Sequence, residues 1–183
     1  MGHKVITPAT SPVLPLADVR MHLRLDAGVH PEDGLITGFI HTAAGYVEHY
    51  TQRSVGAQTL ELALDAFPDG SIELPLGASS ITSVTYVDES DAVITVSSTE
   101  YALDTHSHQS WLLSVNGWPT PKVAANVVKV RYVTSSEINP TSKASMLLLI
   151  GHWYENREAA NFEKLQNIPL GVASLLDTSR VYN

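Results

Sequence analysis

The chain has 183 residues, 44% of them hydrophobic and 16% charged, with 19 acidic against 11 basic side chains and a net charge of −8. That length suits one compact body with a sizeable core, or a helical body carrying a large insertion, and no apolar run approaches the ~20 residues that cross a membrane. Without cysteine there is no disulfide framework, thiolate nucleophile or Cys-ligated metal site, and the acidic balance disfavours tight nucleic-acid binding unless the few cations cluster.

The N-terminal Met1-Gly2-His3-Lys4-Val5-Ile6 lacks the apolar stretch of a secretory signal, and Ile6 stands where a myristoylation signal needs Ser or Thr. Synthesis and action are therefore expected to begin in the cytoplasm. After an extended start with Pro8, Pro12 and Pro15, Leu16, Val19 and Leu23 recur at helical spacing and predict a short helix over 16–25, ending near Gly28. From Asp33 to Thr51, Ile36, Phe39, Ile40, Ala43, Val47 and Tyr50 recur every three or four residues, with Glu32 and Asp33 where a helix N-terminus favours negative charge. Beyond Gly56 the period changes to two, in Leu60, Leu62 and Leu64, and short strands separated by Gly-, Pro- and Asp-rich turns are expected as far as Val133. Within them, 82–87 and 92–96 form a hairpin about an acidic turn at Asp88, and Val128, Val130 and Tyr132 alternate in the last strand.

Helical pattern resumes after Asn139-Pro140, with Thr141 or Ser142 expected to cap a helix through Tyr154. Its stretch Met146-Leu147-Leu148-Leu149-Ile150 is apolar all round, so burial on every side is expected. Pro169 then opens a last helix carrying Leu170, Val172, Leu175 and Leu176. The fold class is α+β: a helical body from the N- and C-terminal segments, 1–56 and 134–183, around an inserted antiparallel β region, 57–133.

The eight histidines do not assemble into a recognisable metal motif. His152 and Glu155 share a helix face, but Asn156 occupies the place of the second histidine of an inverted zincin motif. His106 and His108 point the same way only if their segment is extended, and a third nearby ligand is lacking. Gly77-Ala78-Ser79-Ser80-Ile81 lacks the second glycine of a nucleophile elbow, no phosphate-binding loop occurs, and Gly34 with Gly38 makes no dinucleotide fingerprint. Asp88, Glu89 and Asp91 do not follow calcium-loop spacing and read as a solvated turn. No cofactor and no catalytic or metal residue is assigned; the protein is expected not to be an enzyme.

Three motifs resemble the head-to-tail connector, or adaptor, proteins of long-tailed bacteriophages and of gene transfer agents. Val5-Ile6-Thr7-Pro8 with the segment Leu16 to Asp26 resembles that family's opening helix and the acidic turn after it. Ala43-Ala44-Gly45-Tyr46-Val47-Glu48-His49-Tyr50-Thr51-Gln52-Arg53 resembles the end of its second helix, with Gln52 in place of the usual glycine. His152 to Glu158, joined to Ile168-Pro169-Leu170-Gly171-Val172 with Leu175-Leu176 and Arg180 beyond, resembles its C-terminal signature.

The resemblance implies a non-catalytic virion protein at the head-to-tail junction, assembled in the bacterial cytoplasm. It implies a homo-oligomeric ring, a dodecamer, between the portal protein and a tail-side stopper or terminator protein, with double-stranded DNA passing through without tight binding. No membrane partner is expected. Trp153, Tyr154, Glu155, Arg157, Leu170, Leu175, Arg180 and Tyr182 are the expected partner-interface residues. Two other readings remain: a free-standing ligand-binding module built on the β region, and a metal-dependent hydrolase in which His106, His108, His152 and Glu155 converge.

Overall fold

The computed structural model describes residues 2–9, 13–107, 109–156 and 170–181. The chain divides into two compact units, one made of Met1–Thr10 with Gly56–Ser136 and the other of Ser11–Val55 with Glu137–Asn183. The fold is α+β, with four helices and two antiparallel sheets among the described residues.

The first unit holds eight strands: β1 (Gly2–Thr7), β2 (Thr59–Leu64), β3 (Ile72–Leu74), β4 (Ser80–Val87), β5 (Val93–Thr95), β6 (Tyr101–Asp104), β7 (Ser110–Ser114) and β8 (Val128–Val133). They form a five-stranded sheet in the order β1-β2-β8-β4-β5 and a three-stranded sheet in the order β3-β7-β6. Residues 1–10 were expected with the helices; β1 instead pairs antiparallel with β2, from Gly2 opposite Ala63 to Thr7 opposite Thr59, which carries them to the β unit. Extended, proline-flanked residues carry no helical period, and an edge strand needs only one partner.

The period-two apolar positions face one another across the two sheets. Leu60, Leu62, Val84, Val130 and Tyr132 from the larger sheet meet Ile72, Leu74 and Leu112 from the smaller in one buried cluster. Each such side chain contributes about 1.5–3 kcal/mol by leaving water. Tyr132 is fully enclosed; its hydroxyl donates to the Pro75 carbonyl at 2.9 Å, and burial raises its phenol above the ordinary tyrosine range. The expected hairpin is present, β4 pairing with β5 from Thr85–Thr95 to Val87–Val93. At its tip the Asp88 carboxylate accepts the backbone N–H groups of Ser90 and Ala92 at 2.8 and 2.9 Å and the Ser90 hydroxyl at 2.7 Å. The Ser90 and Ala92 donors hold its carboxyl below the ordinary range, so the acidic tip is a self-satisfied Asx turn.

The second unit contains α1 (Leu16–His22), α2 (Asp33–Thr51), α3 (Pro140–Glu155) and α4 (Leu170–Asp177). α1 stops three residues short of the expected end, where Arg24 takes a left-handed φ of 58°. α2 has the predicted bounds and buries Ile36, Ile40, Ala43, Val47 and Thr51. It closes on Gln52, left-handed at φ 56° and ψ 34°, whose side-chain amide donates to the His49 carbonyl at 2.7 Å. A left-handed residue closing a helix favours glycine, which accounts for the glycine usual at this place in the motif.

α3 corrects two expectations. Its N-cap is Asn139, whose side chain accepts the Thr141 N–H at 2.8 Å, with Pro140 in the first helical position where no N–H is needed. Its apolar stretch is not buried all round: Ser142, Ser145, Met146, Leu149 and Ile150 are buried, while Leu148 is 43% exposed. The buried positions follow i, i+3, i+4, i+7 and i+8, so the helical period selects which side is covered, and small serines lie on the inner stripe. Met146, Leu149 and Ile150 share their core with Leu14, Val19, Ile36, Ile40, Val47, Val172 and Leu176.

Candidate assembly surfaces

Among the expected interface residues that the structure describes, Trp153 and Tyr154 lie toward the start of α2 and Arg180 at its end. Trp153 is half-buried, its ring tilted 51° to that of Phe39 with centroids 6.1 Å apart. Tyr154 is also half-buried, and its hydroxyl donates to the Glu32 carboxylate. Both therefore serve the helical unit's own packing while keeping part of their surface in water. Glu155 is exposed in the last turn of α3.

At the other end of α2, the Arg180 guanidinium lies 5.2 Å from the centre of the Tyr50 ring. The Tyr50 hydroxyl donates to Asp177 at 2.7 Å, which raises the phenol above its ordinary range because ionisation would give up that hydrogen bond. Tyr46 stacks on Tyr50 with centroids 6.0 Å apart, and the Val181 N–H reaches the Thr51 carbonyl at 3.1 Å. Phe39 and Tyr50 are eleven residues apart on α2, about 16 Å at the helical rise, so α2 carries the Trp153 group and the Arg180 group at separate places. Leu175 is half-buried. Leu170 begins α4, its side chain lying outside the described residues, as do Arg157 and Tyr182.

Sequence reading missed Tyr50 as the seat of Arg180, with Tyr46 stacked on it and Asp177 bonded to it. The available signal was the i, i+4 spacing of the two tyrosines, which places them on one helix face. It also gave no sign of the two ion pairs that tie the helices. Arg20 donates its Nε to Asp33 at 2.8 Å and makes a second contact through Nη2, holding the Asp33 carboxyl below the ordinary range, and Lys143 meets Asp18 at 2.7 Å.

Of the residues of the hydrolase reading, His152 and Glu155 lie on α3 of the helical unit, His106 is exposed in the β unit with its backbone N–H on Asp104, and His108 lies outside the described residues. Among the described residues no group of three or more His, Asp or Glu could hold a metal ion.

For the ligand-binding reading, the β unit offers a groove of about 780 Å³ bordered by Asp65, Phe67, Asp69, Trp118 and Lys122. Phe67 and Trp118 stack with centroids 4.8 Å apart and planes within 5°, and the Trp118 indole N–H donates to the Gly70 carbonyl at 3.0 Å. Lys122 is paired with Asp91 at 2.5 Å, and Asp65 accepts the Asn126 N–H at 2.8 Å. Phe67, Trp118, Lys122 and Asp65 thus each have a partner within the β unit.

No protein-family model matches the sequence, and no curated protein matches it. Solved structures do. The fold superposes with a TM-score of 0.82 at 21% identity on a chain in the neck of an empty gene transfer agent (GTA) particle computed with C6 symmetry, covering 100% of this chain and 97% of that one. The same values hold for a chain of the virion of the native GTA particle. A chain in the neck of the native particle computed with C12 symmetry matches at 0.78 and 19%, with the same coverage. The chain thus has, over its whole length, the fold of chains from GTA particles.

Proposed function

We propose that this chain is a structural head-to-tail connector, or adaptor, subunit. Copies form a ring, a dodecamer, between the portal and the tail-side stopper or terminator protein of a phage or phage-like particle, and double-stranded DNA passes through the centre. The observation that carries this reading is the fold shared end to end, 100% of this chain on 97% of the other, with neck chains of GTA particles. The match covers the helical parts and the β insertion alike; the first motif falls on β1 and α1, and the second on the end of α2.

The chemistry fits that role. A cyclic assembly joins one patch to a different patch on the next copy, so each subunit needs contact surface beyond its own core. In the helical unit Met21, Leu35 and Leu148 are exposed, and in the β unit Val5, Ile6, Val93 and Ile94 are. Trp153, Tyr154, Glu155, Arg157, Leu170, Leu175, Arg180 and Tyr182 serve as partner contacts in this reading, the C-terminal segment packing toward the portal. A net charge of −8 suits a sleeve around moving DNA, because many phosphate contacts would release counterions and hold the DNA in place. The role calls for no catalytic step. Assembly takes place in the bacterial cytoplasm, and the finished subunit resides at the head-to-tail junction.

Removing the whole chain from producing cells tests the role more cleanly than trimming it from Pro169 onward. Val172 and Leu176 are fully buried, so that truncation would open the helical core as well as remove surface. Cells lacking the chain are expected to make DNA-filled heads without tails, seen by electron microscopy and restored by supplying the chain. Normal tailed particles from such cells would contradict the proposal.

A further inference from the structure

β1 has no buried residue over its six positions, a feature it shares in its sheet with the three-residue edge strand β5 and not with β2, β8 or β4. All six residues, Gly2–Thr7, are exposed, with Val5 at 49% and Ile6 at 38%, whereas β2 buries Leu60, Glu61 and Leu62. His3 and Val5 stand opposite Leu62 and Leu60, on the side of the sheet that carries the core, and both still face water. The core ends beneath β2. What holds β1 is its ladder to β2 and the Lys4–Glu61 pair at 3.2 Å, contacts that a second copy's β2 would offer equally.

β2, by contrast, needs a strand at that edge. Glu61 is 5% exposed, and its carboxylate is balanced by Arg131 of β8 on one side and Lys4 of β1 on the other. Without β1 the Glu61 carboxylate would keep one partner, and the outer backbone groups of β2 would be open to pairing. The chain leaves β1 through residues 8–15, which include Pro8, Pro12 and Pro15, and passes from one compact unit to the other between Thr10 and Ser11. Proline supplies no ladder N–H.

We propose that β1 is an exchanged strand: in the assembled ring, Gly2–Thr7 of each copy pairs with β2 of the adjacent copy. The partner is a second copy of this chain, and the inference rests on the ring reading above. Exchange keeps every contact that the closed subunit makes, so it costs little, and a donated strand meeting a vacated edge is a heterologous contact of the kind that closes rings.

The absence of cysteine allows a direct test. Gly2 and Ala63 are register partners, as are Thr7 and Thr59, and paired strands place such Cα atoms ~4.5–5.5 Å apart, within disulfide reach. Gly2→Cys with Ala63→Cys, and separately Thr7→Cys with Thr59→Cys, would be oxidised as free subunits and as rings on portal protein, then run denatured without reductant. Free subunits are expected to close the bond within one chain, and rings to give a ladder of covalent multimers that reductant collapses. Rings from a mixture of the Gly2→Cys and Ala63→Cys single variants are expected to yield cross-linked dimers. Rings in which both designed pairs bond only within single chains overturn the exchange and leave the connector reading standing. Failure of the unsubstituted chain to form any ring with portal protein refutes the connector reading and this inference together.

Discussion

Leu149→Ala is expected to destabilise the helical unit by about 2–5 kcal/mol, and Leu148→Ala, one residue earlier, by roughly 0.5 kcal/mol. Leu149 is fully buried among the side chains of α2, α3 and α4, so truncation leaves a cavity that packed neighbours fill only in part. Leu148 is 43% exposed and loses mainly surface. Urea denaturation followed by far-ultraviolet circular dichroism reads both. Equal losses would mean that α3 is enclosed on every side, as its apolar stretch suggests by itself. A Leu148 that is neutral for stability yet weakens ring formation would place its exposed side at a subunit contact.

Arg131→Met is expected to cost about 1–3 kcal/mol at neutral pH, because it strips the nearly buried Glu61 carboxylate of its principal charge partner. Arg131 Nη2 donates to Glu61 at 2.6 Å, and Lys4 lies at 3.2 Å but is largely in water. Arg131 first, and Lys4 after it, hold the Glu61 carboxyl below the ordinary range against the opposing effect of burial. A carboxyl depressed on folding contributes stability that is present above its unfolded value, about 4.3, and is lost as pH falls through the lower folded value. With Arg131 gone, the largest of the lowering causes is lost and the folded value rises. The variant's deficit should then shrink as the pH is lowered toward 4 and the carboxylate is protonated. Adding Glu61→Leu should restore most of the lost stability, since a buried pair replaced by apolar groups is often neutral. A deficit independent of pH and unrelieved by the second substitution would show that Arg131 acts by packing alone.

Periodicity carried most of the fold in the sequence. The three- and four-residue spacing of Ile36, Ile40, Ala43 and Val47 located α2 to its terminal residues, and the alternation of Leu60, Leu62, Val130 and Tyr132 located two central strands with their buried faces. The misses have physical causes. β1 buries nothing, so it has no alternation to read; its strand character comes from pairing with residues about sixty positions away. α3 is apolar on all sides, so composition could not distinguish the buried Leu149 from the exposed Leu148, a choice made by its neighbouring helices. The Asn139 cap was obscured by the equally plausible Thr141 and Ser142 beside it.

The candidate surfaces were less legible. Trp153 and Tyr154 stand out by size, but that Trp153 would lean on Phe39 and Tyr154 bond to Glu32 depends on tertiary placement. Arg180 could be named from its motif, whereas its seat over Tyr50 beside Asp177 required α4 to return along α2. Long-range side-chain partners of this kind leave no local period.

The native mass of the purified chain, measured by light scattering alone and after mixing with portal protein, with electron microscopy of any large species, tests the connector role most directly. A ring, or a monomer that enters a ring only on the portal, is the expected result. A monomer that ignores portal and every other particle component would contradict the account.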